Sequence, residues 1–216
     1  MENTNMRYYQ SPRKDLVDII PKEVKKLLDI GCGEGTMGKV FKQERPDAFV
    51  AGIESNNVST QIAKSNIDDI ITGDVETVLI KFPNEHFECI VFGDVLEHLI
   101  DPWKQLKKYS KYLCKDGYIL VSVPNVSYYS IVVGLMFGRW HYKDRGILDK
   151  GHLRFFTLKS LKDLVETAGY KIIKVDKRYR FCERGSRFDR FAKVMMFVPL
   201  IGKYFINKHV ILAKKQ

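Results

Sequence analysis

Short apolar runs recur along the first 125 positions, each closed by Gly, Pro, Asn or Asp and separated by stretches with helical spacing. Val24 to Ile30, Ala48 to Ile53, Ile67 to Thr72, Phe87 to Phe92 and Tyr118 to Val123 read as buried strands. Between them, Thr36 to Glu44, Asn57 to Asn66 and Pro102 to Leu113 read as helices, with Pro102 at a favourable first-turn position. Val75 to Lys81 reads as a further short helix, and Arg13 to Ile20 as another, ended by Pro21. Strands alternating with helices at this spacing predict an α/β fold, a parallel sheet covered on both faces. Beyond Pro124 the rhythm changes. Ser127 to Phe137 is an apolar helix, and Gly138 to Gly151 a loop rich in aromatics and charges. Thr157 is placed to cap a helix from Leu158 to Ala168, stopped by Gly169. Tyr170 to Arg178 and Asn207 to Ala213 read as the last two strands, and residues 1–12 as loosely structured.

The first strand leads straight into Gly31-Cys32-Gly33-Glu34-Gly35-Thr36. A strand, a glycine turn and a helix N-terminus make a nucleotide-binding corner. A dinucleotide fingerprint wants a small residue at the sixth position of G-x-G-x-x-G/A, and Thr36 stands there. The spacing is instead D-x-G-x-G-x-G, beginning at Asp29. Acids close the strands in succession: Asp29 the first, Glu54 the second, Asp74 the third and Asp94 the fourth. One acid at a strand end is often only a cap or turn former. Four beside a glycine corner point to a ligand with cationic and hydroxyl groups, bound at the carboxyl edge of the sheet.

These residues, together with Phe92-Gly93-Asp94-Val95-Leu96-Glu97-His98 and Leu120-Val121-Ser122-Val123-Pro124-Asn125, resemble the successive motifs of class I S-adenosylmethionine (AdoMet)-dependent methyltransferases. The most similar variety accompanies bacterial glycosyltransferases in polysaccharide and O-antigen pathways. It shares the aromatic pair Tyr8-Tyr9 and the distal block from Gly138-Arg139-Trp140 to His152-Leu153-Arg154-Phe155-Phe156-Thr157. Ubiquinone-biosynthesis O-methyltransferases look like more distant relatives, sharing Glu97-His98. The resemblance spans about residues 8–180. It implies a Rossmann-like, doubly wound, mostly parallel seven-stranded sheet with an antiparallel last strand. It also implies AdoMet as cofactor, with Glu54 on the ribose and Asp74 on the adenine amine beside the Val75 backbone. Gly31, Cys32 and Gly33, within the turn that Asp29 and Gly35 bracket, would face the methionine moiety. Asp94 and Val95 would lie near the sulfonium.

Methyl transfer from a sulfonium needs positioning more than covalent chemistry, but a hydroxyl acceptor also needs a base. His98, after the fourth strand, and His152, in the distal block, are the candidates; His86 falls in a turn and His209 in the last strand. Trp140, His141 and Arg154 are candidate acceptor-binding residues within an active-site loop at 138–156, and Tyr128, Tyr129 and Tyr142 are further aromatics for such a pocket. No three ligands have the chain spacing of a zinc or di-metal site, so no metal is expected.

Composition narrows the surroundings. The 216 residues suit one domain, and 45% hydrophobic content fills a core. No apolar run reaches the roughly 18 residues of a membrane span, and the N-terminus lacks a signal-peptide order. Four scattered cysteines (Cys32, Cys89, Cys114, Cys182) predict reduced thiols and a cytoplasmic setting. Residues 171–216 carry thirteen basic and three acidic side chains and residues 1–170 carry 23 of each, so the net charge of +10 belongs to the tail. Within a basic insertion at 181–206, Phe188, Phe191, Ala192, Met195 and Val198 keep helical spacing beside Arg187, Arg190 and Lys193. That pattern fits peripheral contact with an anionic membrane; no nucleic-acid motif accompanies the charge. The expected activity is O-methylation of a sugar or glycan intermediate. The alternatives are a small aromatic, quinone-like acceptor, or a non-catalytic AdoMet-binding scaffold. The sequence does not reveal an oligomeric state.

Overall fold

The computed structural model describes residues 12–179 and 201–216. Tyr8-Tyr9, Cys182 and the amphipathic stretch at 187–198 lie outside the described residues. Seven strands form one sheet: β1 (Lys26–Ile30), β2 (Phe49–Glu54), β3 (Asp69–Thr72), β4 (Phe87–Gly93), β5 (Leu113–Pro124), β6 (Tyr170–Tyr179) and β7 (Ile206–Lys215), in the order β3-β2-β1-β4-β5-β7-β6. The first five are mutually parallel, and β7 runs antiparallel to both β5 and β6. This is the doubly wound, mostly parallel sheet that the alternation and the resemblance imply.

The apolar runs lack a polar alternation because both faces of the sheet are covered. Neighbouring residues point to opposite faces. Leu28, Ile30, Ala51, Ile90 and Phe92 enter one core, with Leu106 and Leu164 from helices. Leu27, Val50 and Val91 enter the other, with Leu16 and Phe41. The helices are α1 (Lys14–Val17), α2 (Thr36–Glu44), α3 (Asn57–Ala63), α4 (Pro102–Ser110), α5 (Tyr129–Met136) and α6 (Leu158–Thr167). Local chemistry starts several of them. Asn56 Oδ1 accepts from the Val58 and Ser59 amides at α3, Asp101 Oδ1 from Lys104 at α4, and Thr157 forms a reciprocal capping box with Ser160 at α6.

Three local expectations change. Val75–Lys81 is no helix: Asp74 Oδ1 accepts from the Glu76 amide, and the Asp74 carbonyl accepts from Thr77 and Val78, which makes a turn. Asp116-Gly117 does not precede β5. It lies inside the strand, where the register against β4 shifts and Asp116 takes φ 63°. The apolar helix begins at Tyr129 rather than Ser127, because the Asn125 side chain and carbonyl take the Ser127 and Tyr128 amides.

Candidate active site

The glycine turn after β1 is closed by its own backbone. The Gly31 and Cys32 amides both donate to the Ile53 carbonyl, the Gly35 amide to Cys32, and the Gly33 amide to Glu54 Oε2 at 3.0 Å. A phosphate-binding loop turns such amides outward. With these four spent internally, the corner suits a ligand without phosphates. Gly31, at φ 67°, is required twice over, since a Cβ there would sit 2.6 Å from Val95 Cγ2. Val95 thereby packs against the turn. The Cys32 side chain turns into the core: a Cβ on Gly52 would lie 2.5 Å from its sulfur, and burial pushes the thiol far above its usual range. Cys32 offers backbone alone.

Glu54 is buried at the end of β2. Besides the Gly33 amide it accepts from the Asn56 amide at 2.8 Å and from Ser55 Oγ. A carboxylate has about four lone-pair sites, so capacity remains for a ribose hydroxyl. Asp29, 5% exposed, is raised to about 7 by burial; the Arg13 charge opposes that rise and Glu54 adds to it. Asp74 is exposed beyond β3 and caps its own turn through one oxygen. The neighbouring Val75 carbonyl accepts from the buried Tyr109 hydroxyl at 3.0 Å.

Asp94, at φ 62°, ends β4 in a cationic cluster. Arg13 Nη1 donates to it at 2.7 Å, Lys208 Nζ pairs with it, and Ser122 Oγ donates at 2.9 Å. Burial works to raise its carboxyl, but Lys208 and Arg13 outweigh burial and hold it at about 2. Its side chain ties α1 and β7 to the end of β4. Arg13, Ser122 and Lys208 escape a reading of local motifs because they converge from three distant segments.

The two candidate bases meet. The His98 and His152 rings lie 4.7 Å apart at 76°. His98 Nδ1 faces the Gly151 carbonyl at 3.0 Å, and His152 Nδ1 faces Ile147 at 2.9 Å. A carbonyl only accepts, so Nδ1 carries a proton in both rings, and in a neutral ring Nε2 is then the nitrogen with the lone pair. His152 is 8% exposed, and burial pulls its pKa down. Glu97, 2% exposed, stands beside them, and burial with the nearby Asp94 charge raises its carboxyl well above the usual range. Its carbonyl accepts from the Leu153 and Arg154 amides, which pins the distal block against β4. One nitrogen from each histidine and one Glu97 oxygen lie within 4.8 Å of one another. Chain spacing gave no metal set; the fold assembles three possible ligands.

The remaining acceptor candidates separate. Trp140 packs edge-on to Phe155 at 5.1 Å. His141 lines a cleft of ≈ 450 Å³ between α5 and the loop, with Tyr129, Phe137, Arg139 and Lys143; none of the strand-end acids lines it. Tyr128 is buried in the small core beneath the loop. Arg154 spends its guanidinium on the Ile100 carbonyl and lies over the Trp103 ring. These contacts make it a brace between the loop and the segment at 100–103.

The chain matches a family model described as a methyltransferase domain over residues 2–175. It is 24% identical to the ubiquinone biosynthesis O-methyltransferase of Haemophilus ducreyi across 86% of this chain and 75% of that protein. Against the mitochondrial ubiquinone biosynthesis O-methyltransferase of Bos taurus it is 26% identical across 68% of this chain, but spans only 41% of that protein. In fold it is similar to a SAM-dependent methyltransferase from Archaeoglobus fulgidus, with TM-score 0.68, 19% identity and all of both chains covered. A possible histamine N-methyltransferase from Thermotoga maritima gives TM-score 0.70 at 20% identity, covering 99% of this chain and 96% of that one.

Proposed function

This chain belongs to the methyltransferase-domain family and is an AdoMet-dependent methyltransferase, and from that premise we propose that it methylates a hydroxyl on a small planar aromatic acceptor of phenol or quinol type. The observation that carries this reading is the pair His98 and His152, each with its Nδ1 proton committed to a carbonyl, which leaves Nε2 of the neutral ring to act as the base. In this reading Glu54 holds the ribose, Asp74 and Val75 bracket the adenine, and Asp29 with the turn Gly31–Gly35 holds the methionine end. His152 takes the acceptor's proton as its oxygen attacks the methyl carbon, while the carbon–sulfur bond breaks and its electron pair stays on sulfur.

Proton-transfer energetics favour a phenol over the sugar expected from the sequence. A phenolic hydroxyl ionises near 10, about 3.5 units above an ordinary imidazole, whereas an aliphatic hydroxyl lies nearer water's value of about 15.7. A buried imidazole whose pKa is lowered is a base for the first gap and a poor one for the second. The relatives named for ubiquinone biosynthesis support the same acceptor class.

The test is methyl transfer from labelled AdoMet to a panel of catechols, hydroquinols and sugars. Label is expected on the phenolic acceptors, with His152→Ala slowing turnover about 10²–10⁴-fold. Because His152 must be unprotonated, kcat/KM should rise with pH and level off above an apparent pKa below the usual imidazole value. Label on sugars alone would overturn the acceptor assignment.

A further inference from the structure

We propose that Glu97, His98 and His152 form a binding site for one divalent transition-metal ion of the zinc class. Three observations converge on it. The three ligand atoms lie within 4.8 Å of one another, against the ~3.4 Å between ligands that bonds of about 2.1 Å impose around tetrahedral zinc. Next, the two imidazoles are set up as ligands. The Gly151 and Ile147 carbonyls hold a proton on each Nδ1, so that Nε2 of each neutral ring is the nitrogen that can bind a metal, the outer-shell arrangement that orients metal-binding histidines. Finally, neither carboxyl oxygen of the buried Glu97 has a hydrogen-bond partner among the described residues. A buried carboxylate is tolerated when protonated or when a cation meets it. The cations nearest in effect, Lys208 and Arg13, are spent on Asp94.

The donor set also selects the ion. Two imidazoles with one carboxylate suit zinc, cobalt or iron(II), and not calcium or magnesium, which prefer oxygen ligands. The site is braced from two sides. Glu97 and His98 share the 3₁₀ turn Leu96–His98, and the Glu97 carbonyl holds the Leu153 and Arg154 amides that flank His152. Three protein ligands leave a further position open, as in catalytic rather than structural zinc sites. An ion there would lower the pKa of an acceptor hydroxyl bound at the open position, and His152 would then serve as its ligand in place of the base role proposed above. That role rests on the acceptor reading above; the ion's binding rests on the three side chains alone.

Chelator-stripped full-length protein titrated with Co²⁺, read by its visible absorption, and with Zn²⁺, read by calorimetry, tests the site. One equivalent is expected, weakened at least tenfold in Glu97→Gln and in His98→Ala. The second variant alters an exposed ring and guards against misfolding of the first; an unchanged melting transition confirms its fold. No stoichiometric binding, or binding of equal strength in wild type and a folded His98→Ala, would overturn the proposal. The two readings fail separately: bound ion without phenol methylation removes the acceptor class, and phenol methylation without bound ion leaves His152 as the base.

Discussion

In the proposed site, Asp29 is a single buried carboxyl placed to couple its ionisation to cofactor binding. With its pKa raised to about 7 by burial, against the pull of Arg13 and with the push of Glu54, it is largely protonated in the free protein below neutrality. AdoMet brings an ammonium and a sulfonium, and a cation beside Asp29 favours its ionised form. Binding should therefore release a proton below pH 7. By linkage, affinity should rise with pH by up to about tenfold per unit and level off above about 7. Calorimetry at pH 6 in buffers of different ionisation enthalpy measures that proton directly. A result of no net release would remove Asp29 from the cation's surroundings. At this scale the sequence was informative about strand-end acids, because a motif names them one at a time. It was silent on their ionisation, which depends on burial and on Arg13 arriving from another segment. Glu97 was visible within the Glu-His step, yet that neither carboxyl oxygen has a hydrogen-bond partner among the described residues shows only in three dimensions.

Among the elements, α2, which follows directly from the glycine turn, packs closely on β2. The dinucleotide fingerprint assigns such contact to its sixth position, where Thr36 stands here. Gly38 supplies it instead: a Cβ there would lie 2.5 Å from Ile67 Cγ2 and 2.8 Å from Val50 Cγ1. The sign of a Gly38→Ala change follows. Helix propensity alone would stabilise by about 0.5–1 kcal/mol, but overpacking costs roughly 1–3 kcal/mol. The variant should melt about 2–6 °C lower for a chain of this size and bind AdoMet more weakly. A higher melting temperature would show that α2 does not press on β2 as described. Element types were legible wherever periodicity ran long, as in β1, β2, α2 and the Thr157-capped α6. They failed where side chains compete with the backbone, as Asp74 does in capturing the Glu76 amide and ending any helix at 75–81.

For the whole molecule, alternation of strands and helices predicted the parallel sheet. The resemblance implied seven strands with an antiparallel last one, but not the place of β7 between β5 and β6, which no local pattern encodes. The same limit hid the meeting of His98 with His152, which the turn after β4 and the distal loop bring together from far apart in the chain. That order puts the ends of β1, β2, β3 and β4 side by side, and with them Asp29, Glu54, Asp74 and Asp94, the edge on which the proposed function places the cofactor. The most direct measurement is calorimetric titration of AdoMet into wild type and Glu54→Ala, with melting curves as the control for the Gly33 latch. Wild type should bind AdoMet, and the variant should bind it about 10–100-fold more weakly, the equivalent of losing a charge-assisted hydrogen bond of about 1.5–3 kcal/mol. Equal affinity in a folded Glu54→Ala would contradict the placement of the cofactor on this edge.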